Sequence, residues 1–146
     1  MDKLIDTYKI YLASNFALYV KTHGFHFNVI GPNFPQLHTL FNSQYEDLWE
    51  AHDTIGENIR KLDNFTPASL SEYIKLSAVN DTTEILSDNG CIARLLADHE
   101  RMLIIINKLF KLAEEANLQD HMNFLAERLN AHSKHRWMLK SMLTTV

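Results

Sequence analysis

Four glycines and three prolines are all the backbone breakers in 146 residues, and the stretches between them carry apolar side chains at steps of three and four. A sandwich or barrel turns every 8–12 residues or so and draws on these residue types to do it. So few breakers nearly exclude an all-β fold and leave long helices as the economical solution. The first stretch places Ile5, Tyr8, Leu12, Phe16, Tyr19, His23 and His26 on one face, the spacing of an amphipathic helix.

Gly31 and Pro32 end that helix. A second runs from about Phe34 to Leu62, with Pro35 suited to a first turn. Residues 66–79 form a mixed connector in which Ser69, three before Glu72, predicts the cap of a short helix. A third long helix is expected from Asp81 or Thr82 to about Ala116, with Leu86, Leu95, Leu96, Met102, Leu103, Ile106, Phe110 and Ala113 facing inward. A fourth carries Met122, Leu125, Leu129, His132, Arg136, Leu139 and Leu143 in 3-4 spacing. The expectation is an all-α four-helix bundle, with a short helix between the second and third long helices. Residues 1–146 suffice for one domain and hardly for two.

The balance of 46% hydrophobic and 22% charged residues is that of a folded chain. Cys91, the one cysteine, has no internal disulfide partner, which fits a reducing compartment, and it reads as a small buried hydrophobe. Asp2 and Asp6 stand where a secretory signal needs basic residues. The longest apolar run, Met102 to Ile106, is far below the ~20 residues that span a bilayer. A cytoplasmic protein without membrane attachment is expected. Net charge is −4 with no basic block, which argues against a general nucleic-acid binder.

Eight histidines are the chemical signal. His26 and His38 each lie six residues from Pro32, so an antiparallel hairpin brings them to one height on neighbouring helices, a plausible metal pair. On the second helix His38 and Asn42 share a face, as do Asp53 and Glu57. His38 and Asp53 are separated by about 22 Å along the axis and differ in direction by about 60°. One metal cannot touch both pairs within a single chain. A two-fold axis near Asp47 or Leu48, crossing two antiparallel copies of the helix, brings His38 of one chain to Asp53 of the other. No Glu is followed by His three residues later, so the Glu-x-x-His pairs of an internal di-metal bundle are missing. His132 reads as core packing or a helix contact beside Trp137, as does His135. His99, in Asp98-His99-Glu100, reads as part of an ion-paired patch. His52 and His121 carry no partner signal.

The run His26-Phe27-Asn28-Val29-Ile30-Gly31-Pro32-Asn33-Phe34, then His38, then Asp53-Thr54-Ile55-Gly56-Glu57-Asn58 resembles the signature of the Dps family, the ferritin-like DNA-protecting proteins of starved cells. Lys21-Thr22-His23-Gly24-Phe25 and the ending His132-Ser133-Lys134-His135-Arg136-Trp137-Met138-Leu139 extend the resemblance over nearly the whole chain. The resemblance implies a ferritin-like bundle assembled as a hollow homo-oligomeric dodecamer with iron sites at its dimer interfaces. At each site ferrous iron is oxidised, preferentially by hydrogen peroxide, and stored as ferric mineral, which protects against oxidative damage. It implies His26 and His38 as ligands from one subunit and Asp53 and Glu57 from its mate, with Glu57 bridging to a second iron.

Several positions depart from that pattern. Asn42 replaces a carboxylate ligand and is the weakest candidate donor. Phe27 replaces a tryptophan, which removes any electron-donor role of that indole. Gly56 replaces alanine in mid-helix at a cost of about 1 kcal/mol, and reads as drift rather than as a close backbone approach. Asn123 stands where an acidic pore residue is usual, which shifts iron admission to Asp120 or Glu127. No lysine-rich tail precedes the first helix, so DNA binding is not expected. The expected function is therefore a ferroxidase and iron store. The alternatives are a DNA-coating nucleoid protein with incidental iron chemistry, and a helical assembly whose site has decayed.

Overall fold

The computed structural model describes residues 1–143, and among them the regular structure is entirely helical. The order is α1 (Asp2–Asn28), α2 (Phe34–Lys61), α3 (Leu70–Leu76), α4 (Asp88–Glu115) and α5 (Gln119–Leu143). Two helical hairpins, α1/α2 and α4/α5, form the bundle; α1 packs on α4, and α3 lies on α1. This is the ferritin-like four-helix arrangement with a short helix in the second connection. None of the helices is long and apolar enough to cross a membrane among these residues.

The local sequence accounts for most helix ends. Pro35 occupies the first turn of α2. Ser69 caps α3 by accepting the Glu72 amide at 3.3 Å and donating to the Glu72 carboxylate at 2.8 Å. Both α2 and α4 finish in Schellman turns. At α2 the Asn64 amide reaches the Ile59 carbonyl across Asp63, whose φ is 59°. At α4 the Leu118 amide reaches Ala113 across Asn117, whose φ is 57°. Asp and Asn are among the few non-glycine residues that tolerate this left-handed conformation.

The start of the third long helix differs from expectation. It begins at Asp88, and residues 81–87 are non-helical. Thr82 bends the chain locally by accepting the Glu84 amide at 3.1 Å, whereas Ser87 takes the Gly90 amide at 3.1 Å as the true cap. Leu86 therefore packs on the core from the connector rather than from the helix.

The core runs the length of the bundle, from Leu4, Tyr8 and Leu12 through Phe41, Leu48 and Ile55 to Leu95, Met102 and Ile106, with Leu125 and Leu139 from α5. Cys91 lies in it, 2% exposed. Gly56 lies against the connector. The Thr66 hydroxyl donates to its carbonyl at 2.7 Å, and an added Cβ would stand 3.3 Å from the Thr66 methyl, which would have to give by a few tenths of an ångström.

Asp98, His99 and Glu100 point three ways, because successive helical residues are about 100° apart. Asp98 meets Lys21 of α1 in a buried ion pair at 2.8 Å, Glu100 meets Arg136 at the surface at 3.3 Å, and His99 is fully buried. The ion-paired patch expected around His99 is thus confined to its neighbours. Trp137 faces outward, 63% exposed, and does not share the buried row of His132.

Candidate metal centre

His26 lies in the last turn of α1 and His38 near the start of α2, across the turn at Gly31, whose φ is 115°. Their rings stack with centroids 3.7 Å apart and planes 16° from parallel. Each Nδ1 bonds the other residue's backbone carbonyl: His26 Nδ1 to His38 O at 2.7 Å, and His38 Nδ1 to His26 O at 2.8 Å. A carbonyl oxygen only accepts, so each Nδ1 carries a proton, and the remaining lone pair of the neutral form of each ring lies on Nε2. An imidazole fixed in this way through its second nitrogen is prepared as a metal ligand. Phe34 lies over His38 at 4.8 Å, and Tyr45 meets His26 edge-on at 5.2 Å.

Asn42 follows His38 by one helical turn and is half-buried. Its Oδ1 accepts the Tyr45 hydroxyl at 2.9 Å, so one lone pair of this neutral oxygen is already engaged. Asp53 and Glu57 are exposed on a single face of α2. A hydrogen bond with Asp53, reinforced by repulsion between the two carboxylates, raises the Glu57 carboxyl above its ordinary range. Two acids that compete for one proton are also placed to share one cation.

The structure thus holds two separate groupings, the histidine pair beside Asn42 and the carboxylate pair. It does not bring them together in one protomer. Among the described residues no group of three or more His, Cys, Asp or Glu is arranged to hold a metal ion. Of the pore candidates, Asp120 is exposed and paired with Lys61, Glu127 is exposed, and Asn123 accepts from Gln119 at 2.9 Å.

The ferritin-like domain family matches residues 10–146. Over 127 residues the chain is 28% identical to the DNA protection during starvation protein 2 of Bacillus anthracis, covering 87% of each. The Dps of Thermosynechococcus elongatus superposes with a TM-score of 0.96 at 26% identity, over 99% of this chain and 92% of that one.

The chain belongs to the Dps family.

A Dps protein of Vibrio cholerae, described as a member of a broad superfamily of ferritin-like diiron-carboxylate proteins, aligns at 25% identity with a TM-score of 0.93, over 98% of this chain and 90% of that one. This Dps-family chain lacks Glu-x-x-His pairs, and the middle of its bundle holds other polar groups. Asp47 of α2 takes two bonds from Arg128, at 2.8 and 2.9 Å, and one from His135 at 2.8 Å. Burial would raise the Asp47 carboxyl, but the bonds from His135 and Arg128 outweigh it and hold the group below the ordinary carboxylate range. His121 bonds the Tyr8 hydroxyl at 2.8 Å, and His52 faces the Tyr73 hydroxyl at 3.1 Å. These partners lie 113 and 21 residues away in sequence, so no local spacing announces them.

Proposed function

We propose that this Dps-family chain oxidises ferrous iron at sites shared between two copies and stores the ferric product inside a hollow, cytoplasmic homo-oligomer, a dodecamer. Each site takes His26 and His38 from one protomer and Asp53 and Glu57 from its two-fold mate. The observation that carries this reading is the reciprocal Nδ1–carbonyl bonding of the two histidines, which leaves the Nε2 of each stacked ring available as a donor to a metal. Imidazole nitrogen with carboxylate oxygen suits iron, and the two negative charges match one ferrous ion. Hydrogen peroxide is the preferred oxidant and dioxygen the second. One peroxide takes an electron from each of two ferrous ions, together with two protons, and leaves two waters.

The test is anaerobic loading with ferrous iron followed by peroxide, with ferric formation measured. His38→Ala is expected to slow oxidation by at least about tenfold, since even indirect support of a metal ligand is worth 10–100-fold. Assembly and helicity persist in that variant because the ring is only half-buried. Oxidation at the parent rate would remove His38 from the site. A parent that consumes no peroxide in the presence of ferrous iron would establish a decayed centre.

Asn42 sets a second expectation. A neutral amide oxygen already bonded to Tyr45 is a poorer donor to a hard cation than a carboxylate. One iron should bind tightly at each site and the second weakly, and Asn42→Asp should strengthen the weaker position. Two equally tight irons in the parent, measured by titration, would overturn this.

The DNA-coating alternative draws on the names of relatives, and a net charge of −4 per protomer opposes it, because phosphate binding depends on clustered cations. A gel-shift assay decides: retention of DNA at physiological salt would favour coating, and none would leave iron chemistry as the main work.

A further inference from the structure

The polar centre of the bundle holds two histidines that the iron reading does not use. His99 of α4 and His132 of α5 are both fully buried, and their Nδ1 atoms lie 2.8 Å apart. That contact needs one N–H and one lone pair. Arg128, which can only donate, faces His132 Nε2 at 3.4 Å, so that nitrogen is the acceptor. His132 therefore carries its proton on Nδ1 and donates to His99. His99 carries its own on Nε2, which is buried without a partner.

Every basic nitrogen of the pair is then already taken by a donor. A further proton on His99 Nδ1 sets N–H against N–H, and one on His132 Nε2 sets N–H against a guanidinium. The surroundings offer little relief: the Asp47 charge favours a proton on either ring, but burial outweighs it. From α1 comes Tyr11, which interacts with Arg128 and Asp47, a phenol pushed up to about 12 mainly by burial. From α2 it is Asp47, whose oxygens are engaged by Arg128 and His135. From α5 come the Arg128 charge and His135, whose ring lies 5.0 Å from His99 and 6.0 Å from His132.

We propose that the His99–His132 pair is an acid-sensitive latch between α4 and α5, closed only while both imidazoles are neutral and broken by proton uptake. In agreement, burial first and neighbouring positive or histidine groups second hold both rings well below the ordinary histidine range. The sign follows: an exposed imidazole takes up protons below pH ~6.5 while the latched pair does not, so closure is fully favoured above that pH and weakens as pH falls. Each imidazole multiplies the opening equilibrium by up to about 25-fold between pH 7 and pH 5, and the two together by up to about 600-fold.

Amide hydrogen exchange of the assembled full-length protein tests this. Peptides from the middle of α4 and α5 are followed at pH 7 and pH 5, with the chemical exchange rate corrected for pH. The parent should lose several-hundred-fold protection there, and His99→Leu combined with His132→Leu should remove that part of the loss. A parent whose corrected protection stays constant would overturn the latch, as would a double variant that loses as much as the parent. If the double variant does not fold, His132→Gln serves, since its amide can accept from Arg128 and donate to His99. It should show a loss of about 25-fold; a loss equal to the parent's would overturn the proposal.

Discussion

Co-refolding the His38→Ala and Asp53→Ala proteins is expected to restore about a quarter of the iron-oxidation sites, although each variant alone is slowed by at least about tenfold. His38 and Asp53 on one α2, together with an isologous dimer, are sufficient for this outcome. In a mixed dimer one site receives both lesions, and the other receives an intact His38 and an intact Asp53. Random pairing makes about half of the dimers mixed, and half of their sites are whole. If all ligands came from one protomer, every site would carry a lesion and mixing would restore nothing. The measurement is peroxide-driven ferric formation by each variant alone and by the mixture, with mixed dimers verified by mass. A mixture no more active than its components would refute the shared site.

The largest stability effect is expected at Lys21. Its ammonium lies 2.8 Å from Asp98 Oδ2, with side-chain exposures of 4% and 11%. Burial pushes the Asp98 carboxyl up, and the bond and charge of Lys21 oppose that shift. Lys21→Met keeps the aliphatic bulk and removes the charge, leaving a buried carboxylate without its partner. Breaking a buried pair from one side typically costs about 3–5 kcal/mol. Replacing both members with apolar residues, as in Lys21→Met with Asp98→Leu, should recover most of that, because the desolvation of both charges disappears together. Chemical denaturation of the three proteins checks it. A Lys21→Met protein as stable as the parent would show that the pair contributes no net stability.

What could be read from the sequence follows the range of each interaction. The helices were legible because 3-4 periodicity and caps are local: Ser69 with Glu72, and Pro35 in a first turn, act within a few residues. The His26–His38 pairing was legible because both flank one turn at equal distance, so a hairpin was the only assumption. The start of α4 was not, because the apolar spacing continues through Leu86 while the cap chemistry that decides lies at Ser87. The burial of His99 is masked in the sequence by its charged neighbours, Asp98 and Glu100, which belong to other faces of the helix. The pairs Lys21–Asp98 and Asp47–Arg128 join residues 77 and 81 positions apart, where no spacing rule reaches. The contact of Gly56 with Thr66 is not legible either, because Thr66 sits in the connector 10 residues away.

The reciprocal bonds between His26 and His38 also bear on how such a protein can change over evolutionary time. These rings clasp the end of α1 to the start of α2 through each other's carbonyls, so a lineage relieved of its iron chemistry would still be selected to keep them for the hairpin. Asp53 and Glu57 are exposed and, with no metal between them, repel each other, so the same lineage would gain by losing them. Among proteins descended from a common ancestor, the histidines are therefore a record of ancestry. On the proposed function, the two acids are the indicator of which descendants work with iron.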